Sequence, residues 1–126
     1  MTAFAGEVKQ AVPDVLIVSG DLTYNGEEKS HQELADIFAS IESQGTSVLV
    51  IPGNHDLENY LAWGYGDQGP YDTETVTSSQ FARIYTDFGY TDAISRDRES
   101  PSYVAEIHAG LRVIMLDVGI REPMMM

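Results

Sequence analysis

Ile51-Pro52-Gly53-Asn54-His55-Asp56 is the stretch that decides the fold, because it follows directly on the apolar run 48–51. A continuous apolar run that ends in turn residues is typical of a strand buried on both faces of a parallel sheet. The same arrangement occurs earlier, where the apolar run 15–18 leads into Ser19-Gly20-Asp21. The two loops are separated by roughly 30 residues, the length of one βαβ unit. If the strands are parallel neighbours, both loops open at one edge of the sheet, where α/β proteins bind ligands.

The composition is that of a globular chain with a strongly acidic surface. The chain has 126 residues, a formal net charge of −13 and no cysteine. The charge argues against binding to nucleic acid or anionic membranes, since both require basic patches. Without cysteine there is neither a disulfide framework nor a thiolate metal site. No apolar run approaches the roughly 18 residues of a membrane span, and no signal-peptide pattern begins the chain, so the compartment is left open.

Hydrophobic periodicity predicts three helices, over residues 2–10, 30–44 and 77–88. Ser30 with Glu33, and Thr77 with Gln80, fit the capping-box pattern at the start of the second and third helices. Glycines at the predicted ends provide C-terminal stops. Four strands are predicted, over residues 15–18, 47–51, 102–107 and 111–116. Residues 57–75, broken by glycine and proline, and the charged stretch 92–101 are predicted to be loops.

Four side chains in the two loops could carry metal-dependent chemistry. Asp21 can ligate one or two hard cations, and Asn54 offers an amide oxygen to a cation or its NH₂ group to a phosphoryl oxygen. His55 can donate a proton to a leaving group. Asp56 could orient that imidazole, or alternatively cap the turn at Leu57. These residue types together favour a metal-dependent hydrolase.

At these residues the chain resembles the calcineurin-like metallophosphoesterases. The segments Gly20-Asp21-Leu22-Thr23-Tyr24-Asn25-Gly26-Glu27 and Gly53-Asn54-His55-Asp56 are similar to the second and third signature blocks of that family. Pro13-Asp14 before the first strand and Met115-Leu116-Asp117 at the end of the last one fit the same pattern. The resemblance covers most of residues 8–117.

The resemblance implies a β-sandwich flanked by helices, of which this chain would hold a βαβ unit and a C-terminal strand pair. It implies a dinuclear site in which Asp21 bridges the metals, Asn54 ligates one metal and touches the phosphate, and His55 acts as an acid or stabilises the transition state. The family's metals are typically Mn, Fe, Zn or Co, and its nucleophile is a metal-bound hydroxide. The implied activity is hydrolysis of phosphomonoesters or phosphodiesters.

The chain also departs from the family pattern. The Asp-x-His block expected on an earlier strand and the later histidine blocks are absent, and the three histidines are His31, His55 and His108. We expect His31 and His108 to have no ligand role, and Asp117 to be structural unless it approaches the site. Residues 1–126 are therefore interpreted as one incomplete domain, the central part of a longer enzyme. The alternative is a non-catalytic fragment or pseudoenzyme that folds, and self-associates through an exposed sheet edge, without turnover.

Overall fold

The computed structural model describes residues 2–23, 26–54, 56–57, 63–66, 69–72 and 76–118. Its elements are three α-helices, one π-type turn and seven short strands within these ranges, arranged in one parallel and two antiparallel sheets. The predicted α/β class is confirmed. None of the helices in these ranges is both long and apolar enough to cross a bilayer.

The N-terminal half forms the predicted βαβ unit. Helix α1 (Thr2–Ala11) precedes strand β1 (Val15–Val18), and helix α2 (Glu28–Glu42) connects β1 to strand β2 (Ser47–Val50). The two strands pair in parallel, with Val15 opposite Ser47 and Val18 opposite Val50. Both carboxyl ends therefore lie at the same edge, as the sequence predicted.

Burial on both faces holds for one of the two strands. The apolar side chains of β2 are buried, whereas Ile17 on β1 is 51% exposed. The prediction was wrong for β1. Strand β2 packs against helix α2 and against residues 86–90, whereas the main packing partner of β1 within the described residues is β2 itself. The outer side chain of an apolar run is buried only when a second layer packs on it.

Helix α2 begins earlier than its capping-box pattern predicted. Glu27 is the N-cap residue and its side chain makes no capping hydrogen bond, so Ser30 lies inside the first turn. The Ser30–Glu33 capping box is therefore wrong. The helix instead begins at Glu28, and its buried face carries His31 together with Leu34 and Phe38. Gly45 has a φ of +103° just past the helix, as expected for a C-terminal stop.

Helix α3 (Ser78–Ile84) has the predicted capping box, in which Thr77 Oγ1 accepts from the Gln80 amide and Gln80 Oε1 accepts from the Thr77 amide. The α-helix is shorter than predicted, because a π-type turn (Thr86–Tyr90) follows it. This turn is kinked at Phe88 and at Gly89, whose φ is +115°. The predicted apolar face still packs inwards through Phe81, Tyr85 and Phe88.

Antiparallel strands account for most of the remaining described chain. Strand β3 (Trp63–Gly66) pairs with β4 (Gly69–Asp72), and strand β5 (Ala93–Arg96) pairs with β6 (Tyr103–His108), which pairs with β7 (Leu111–Met115). The strand pair β6–β7 was predicted. Strands β3, β4 and β5 lie where loops were predicted, because their pairing uses backbone hydrogen bonds that need no alternation of apolar side chains.

Among the residues whose side chains the structure describes, one cluster of buried side chains joins the helices to β2, β6 and β7. It contains the inner faces of α1 and α2, strand β2, the aromatic residues of α3 and the π-type turn, and inward residues of β6 and β7. Tyr103 on β6 donates its hydroxyl to the Val50 carbonyl at the end of β2, at 2.8 Å. The three-stranded sheet is thereby fixed against the end of the parallel sheet where the predicted site lies.

Candidate active site

The loops after β1 and β2 touch through two glycines. Gly20 has a φ of +103°, and a Cβ atom placed there would overlap the Gly53 backbone nitrogen and lie 2.7 Å from Gly53 Cα. A Cβ atom on Gly53 would lie 2.5 Å from the Asp21 nitrogen and 3.0 Å from its Oδ1. These distances leave no room for a methyl group. The glycine in each loop is what allows the backbone of the other loop to approach.

Asp21 stands at this contact in a left-handed conformation, with a φ of +56°. Aspartate tolerates that region better than most residues. Together with Asn54, Asp21 lines an open cavity of about 730 Å³, whose other walls include Leu116 and Val118. The side chain of Asn54 is exposed to solvent. The structure therefore brings together Asp21 and Asn54, the two predicted metal ligands.

The carboxylate of Asp56 fastens the two loops to each other. It is fully buried and accepts hydrogen bonds from the amides of Leu22 and Thr23 in the first loop and from the amide of Gly53 in the second, at 2.8–3.1 Å. Thr23 Oγ1 also donates to it at 2.9 Å and accepts from the Gly26 amide. A buried carboxylate costs much free energy unless donors surround it. Here the donors come from both loops, so Asp56 sets their relative position.

His31 lies directly behind Asp56. Its ring is fully buried, with Nε2 2.8 Å from the Asp56 carbonyl oxygen and Nδ1 2.6 Å from the Tyr85 hydroxyl. Burial lowers the pKa of His31 below its ordinary value, against the opposing effects of the hydrogen bond to Asp56 and the charges of Asp56 and Glu27. Burial likewise raises the pKa of Tyr85. Both groups are therefore neutral in the native state near pH 7.

Sequence reasoning expected no ligand role for His31 and missed its link to the site. Position 31 falls on the inward stripe of α2, three residues before Leu34, and this helical spacing was a signal that the ring would be buried. Its two partners, at positions 56 and 85, come from distant parts of the chain. Periodicity within one helix gives no information about such contacts.

The remaining predicted residues fall in different places. His55 lies outside the described residues, and so does the side chain of His108, which ends β6. The Asp117 amide donates to Ser102 Oγ at 2.8 Å, which holds the chain just after β7 against the start of β6. This places the segment 116–118 at the wall of the cavity. The role of Asp56 in orienting His55 stays a prediction.

The donor set at the cavity fits a hard divalent cation in part. Asp21 supplies a carboxylate and Asn54 an amide oxygen, both oxygen ligands of the kind that hard cations prefer. Within the described ranges, no group of three or more His, Asp or Glu side chains forms a complete metal site. The described residues thus offer two oxygen ligands, and any further ligands would come from elsewhere.

Comparison with known proteins decides the family. A model of the family described as calcineurin-like phosphoesterase matches residues 2–120. The chain belongs to this family. The resemblance seen in the two loop segments is thereby confirmed. The match covers nearly all of this chain, including the predicted strand pair β6–β7.

Two curated relatives of this chain share one description. A "Probable cyclic nucleotide phosphodiesterase" of Synechococcus sp. is 38% identical over 82 residues, which are 65% of this chain and 31% of that protein. A protein of the same description from Ruthia magnifica is 44% identical over 48 residues, 38% of this chain and 19% of that protein. The matched part of this chain thus spans about a third or less of the length of these relatives.

Proposed function

We propose that the chain forms the central part of a metal-dependent phosphoester hydrolase, an incomplete single domain over residues 1–126. One observation carries this proposal: Asp21 and Asn54 line one cavity at the carboxyl ends of two parallel strands, on loops that Asp56 holds together. Family membership and the description of the curated relatives support hydrolysis of a phosphoester.

In this proposal Asp21 and Asn54 hold the metal ions, two in number as the family resemblance implies, from Mn, Fe, Zn or Co. Bound cations would offset the repulsion between a chain of net charge −13 and an anionic substrate, and would activate water for attack on phosphorus. The Asn54 amide is placed on the cavity wall, where its NH₂ group can donate to a phosphoryl oxygen. His55 donates the proton that the leaving oxygen requires, and Asp56 keeps the loop that carries His55 in position.

The substrate class that the relatives favour is a phosphodiester, a cyclic nucleotide among them. The cavity is open and its apolar wall, Leu116 and Val118, would contact the organic part of an ester. Phosphomonoesters are the other class to be compared. Parallel assays of bis-p-nitrophenyl phosphate, p-nitrophenyl phosphate and 3′,5′-cyclic AMP separate the classes.

The experiment that tests the proposal measures Mn²⁺ binding and turnover on the same samples. Mn²⁺ broadens the NMR signals of nearby amides, so we expect selective loss of the Asp21 and Asn54 signals in the wild-type chain and none in Asp21→Ala. The matched control is Asp36→Ala, which removes an exposed carboxylate from α2. Hydrolysis that requires Mn²⁺ and Asp21 would support a working site within this chain. Uniform broadening in all three proteins would contradict the metal assignment.

Replacing the proposed acid should separate binding from chemistry. In a protein that turns over, His55→Ala should lower kcat by roughly 10²–10⁴, the usual contribution of general acid–base catalysis, while the Mn²⁺ signature stays. Asp21→Ala should remove both. A His55→Ala variant with wild-type kcat at all pH values would contradict the assignment of His55 as the acid.

A second candidate function is a module that folds and self-associates without turnover. The observation that favours it is the exposure of Ile114, Leu116 and Val118, which are 71%, 63% and 77% exposed in or just after the edge strand β7. Exposed apolar edges pair readily with other chains. Sedimentation of the wild type beside Ile114→Lys decides: dimers that Ile114→Lys abolishes, without any Mn²⁺-dependent turnover, would favour the module over the hydrolase.

A further inference from the structure

We propose that the buried pair His31 and Tyr85 is a positioning device for the two site loops, acting through the backbone of Asp56. The proposal deepens the proposed function, since the loops it positions carry Asp21 and Asn54. Neither His31 nor Tyr85 lies on the cavity wall, so their effect on the site is exerted through Asp56 and not by contact with substrate.

The hydrogen bonds fix the tautomer of His31. A carbonyl oxygen can only accept, so Nε2 carries the proton and donates to the Asp56 carbonyl at 2.8 Å. Nδ1 is then the acceptor, and the Tyr85 hydroxyl donates to it at 2.6 Å. Tyr85 therefore selects the tautomer that holds Asp56. The ring of Phe81 packs edge-on at 5.5 Å between centroids and leaves His31 fully buried.

The Asp56 residue passes this restraint to both loops. Its carbonyl is held by His31, and its carboxylate accepts from the amides of Leu22 and Thr23 on one side and Gly53 on the other. Asp21 and Asn54 are the immediate neighbours of Leu22 and Gly53. A loss of the His31 contact would free the Asp56 backbone to rotate, and the carboxylate would lose its alignment with the three amides.

The variants that test this are chosen to separate positioning from stability. His31→Leu removes both hydrogen bonds, and Tyr85→Phe removes the hydroxyl alone. His31→Gln keeps a donor for Asp56 and an acceptor for Tyr85. The matched control is Tyr90→Phe, which removes another buried tyrosine hydroxyl, the one that donates to the Pro101 carbonyl at 2.8 Å.

Two readouts are followed in the 126-residue chain: the NMR shifts of the Leu22, Thr23 and Gly53 amides, and the affinity for Mn²⁺. We expect His31→Leu and Tyr85→Phe to move these three signals and to weaken Mn²⁺ binding about tenfold or more, as loss of a supporting contact around metal ligands does. His31→Gln should show amide shifts and an Mn²⁺ affinity close to those of the wild type. Tyr90→Phe should lower stability yet leave both unchanged.

The outcomes distinguish the two proposals. Unchanged loop signals and Mn²⁺ affinity in Tyr85→Phe and His31→Leu would overturn the positioning role. If His31→Leu does not fold, Tyr85→Phe and His31→Gln still decide. A wild-type chain that shows no Mn²⁺ signature would contradict the proposed function, while the three amide shifts would continue to test positioning. A long-range ¹H–¹⁵N spectrum showing the proton on Nδ1 would also overturn the role.

A second inference concerns a different surface. The geometry points to a phosphate-binding cavity of about 470 Å³ beside the loop that joins β5 and β6, lined by Ser78, Ser79, Arg96, Asp97, Arg98 and Ser100. The ligand class is a phosphate group, either inorganic phosphate or the phosphate of a nucleotide. Guanidinium groups bind phosphate through paired N–H donors, and serine hydroxyls add further donors.

The charges of this cavity are unusual for so acidic a chain. The chain has seven Lys and Arg residues, and two of them, Arg96 and Arg98, line the cavity. Neither guanidinium forms an ion pair in the part of the chain that the structure describes. Arg96 is held over the ring of Tyr90, with its guanidinium carbon 4.9 Å from the ring centre. Asp97 directs its oxygens to the Glu99 amide and the Ser100 hydroxyl, and these bonds lower its pKa. Asp97 thus orders the loop, and the N–H donors of both arginines stay available.

The test is an NMR titration of the metal-free chain, with EDTA present, using inorganic phosphate and adenosine 5′-monophosphate in separate arms. We expect saturable shifts at Ser78, Ser79 and Ser100 with a Kd on the order of 1 mM, equivalent to about −4 kcal/mol. Arg96→Gln and Arg98→Gln should each weaken binding several-fold, whereas Arg112→Gln on β7 carries the same change in charge and should not. Tighter binding of the nucleotide than of phosphate would identify a nucleotide site. Non-saturating shifts, or equal losses in all three variants, would overturn the site.

Discussion

At the scale of single residues, the shape of the site depends on two glycines, which have no side chain, and on one carboxylate that holds backbone amides. The absent side chains of Gly20 and Gly53 let two loops meet, and the Asp56 carboxylate is occupied by backbone donors from both. The sequence showed which residue types stand in the loops. Which of them would coordinate a metal and which would hold the loops together depends on distances that the tertiary structure sets.

The contact between the loops predicts the effect of adding one methyl group. Gly53→Ala places a carbon 2.5 Å from the Asp21 nitrogen, and we expect a loss of about 1–3 kcal/mol in the free energy of unfolding. Gly6→Ala is the matched control, since a Cβ atom there meets nothing within 4 Å. In helix α1 it should add about 0.5–1 kcal/mol. Urea unfolding of both variants checks this, and equal effects would contradict the close approach.

Removal of the negative charge of Asp56 should lower the free energy of unfolding. Asp56→Asn replaces an acceptor oxygen with an NH₂ group that faces backbone donors, so at least one buried amide loses its partner. We expect about 2–4 kcal/mol of destabilisation by urea unfolding, since buried hydrogen bonds to charged groups contribute about 1.5–3 kcal/mol each. Asp36→Asn on the exposed face of α2 should change stability by less than about 0.5 kcal/mol. An Asp56→Asn variant with the same free energy of unfolding as the wild type would show that the carboxylate does not hold the loops.

At the scale of elements, periodicity and capping patterns predicted where helices lie but not always how they begin. The pattern S/T-x-x-E/Q occurs at both α2 and α3, and forms a capping box at α3 alone. The local pattern is the same, so the difference arises outside it. At α2 the His31 amide donates to the Glu27 carbonyl at 3.2 Å, so the helix has already begun before Ser30 can act as its N-cap.

The two patterns should therefore respond differently to alanine. Thr77→Ala removes the Oγ1 acceptor of the Gln80 amide and should destabilise the chain by about 0.5–2 kcal/mol. Ser30→Ala lies within the first turn and should be neutral or add up to about 0.5 kcal/mol, because alanine has the higher helix propensity. Thermal unfolding of the pair gives the comparison. A cost at Ser30 as large as that at Thr77 would contradict the observed start of α2.

At the scale of the whole molecule, the buried His31 links stability to pH. Burial keeps its folded pKa below the ordinary value of 6.5, while the unfolded chain titrates near that value. As the pH falls, the unfolded chain therefore binds a proton at His31 at a higher pH than the folded chain does. The contribution of neutral, buried His31 to the free energy of unfolding is complete above pH 6.5 and is lost below it. The groups facing the ring are Asp56, Glu27 and Tyr85, and the charges of the two carboxylates moderate the effect.

Urea unfolding from about pH 7.5 to 5.5 should show this loss in the wild type, with a smaller slope in His31→Gln, since glutamine does not titrate. The difference between the two curves separates the contribution of the His31 imidazole from that of the Asp and Glu carboxylates of this acidic chain. Parallel curves across the range would mean that His31 titrates equally in the folded and unfolded chains, which contradicts its burial.

By itself, the sequence determined the family, the α/β class, the parallel pair β1–β2 and the placement of Asp21 and Asn54 at one edge. These follow from local signals: apolar runs, helical periodicity, glycines and loop segments whose spacing matches one βαβ unit. The tertiary structure alone decided the exposure of Ile17, the strands β3, β4 and β5, and the link from Tyr85 through His31 to Asp56. Backbone pairing and contacts between distant residues leave no periodic trace, because they depend on which surfaces meet once the chain has folded.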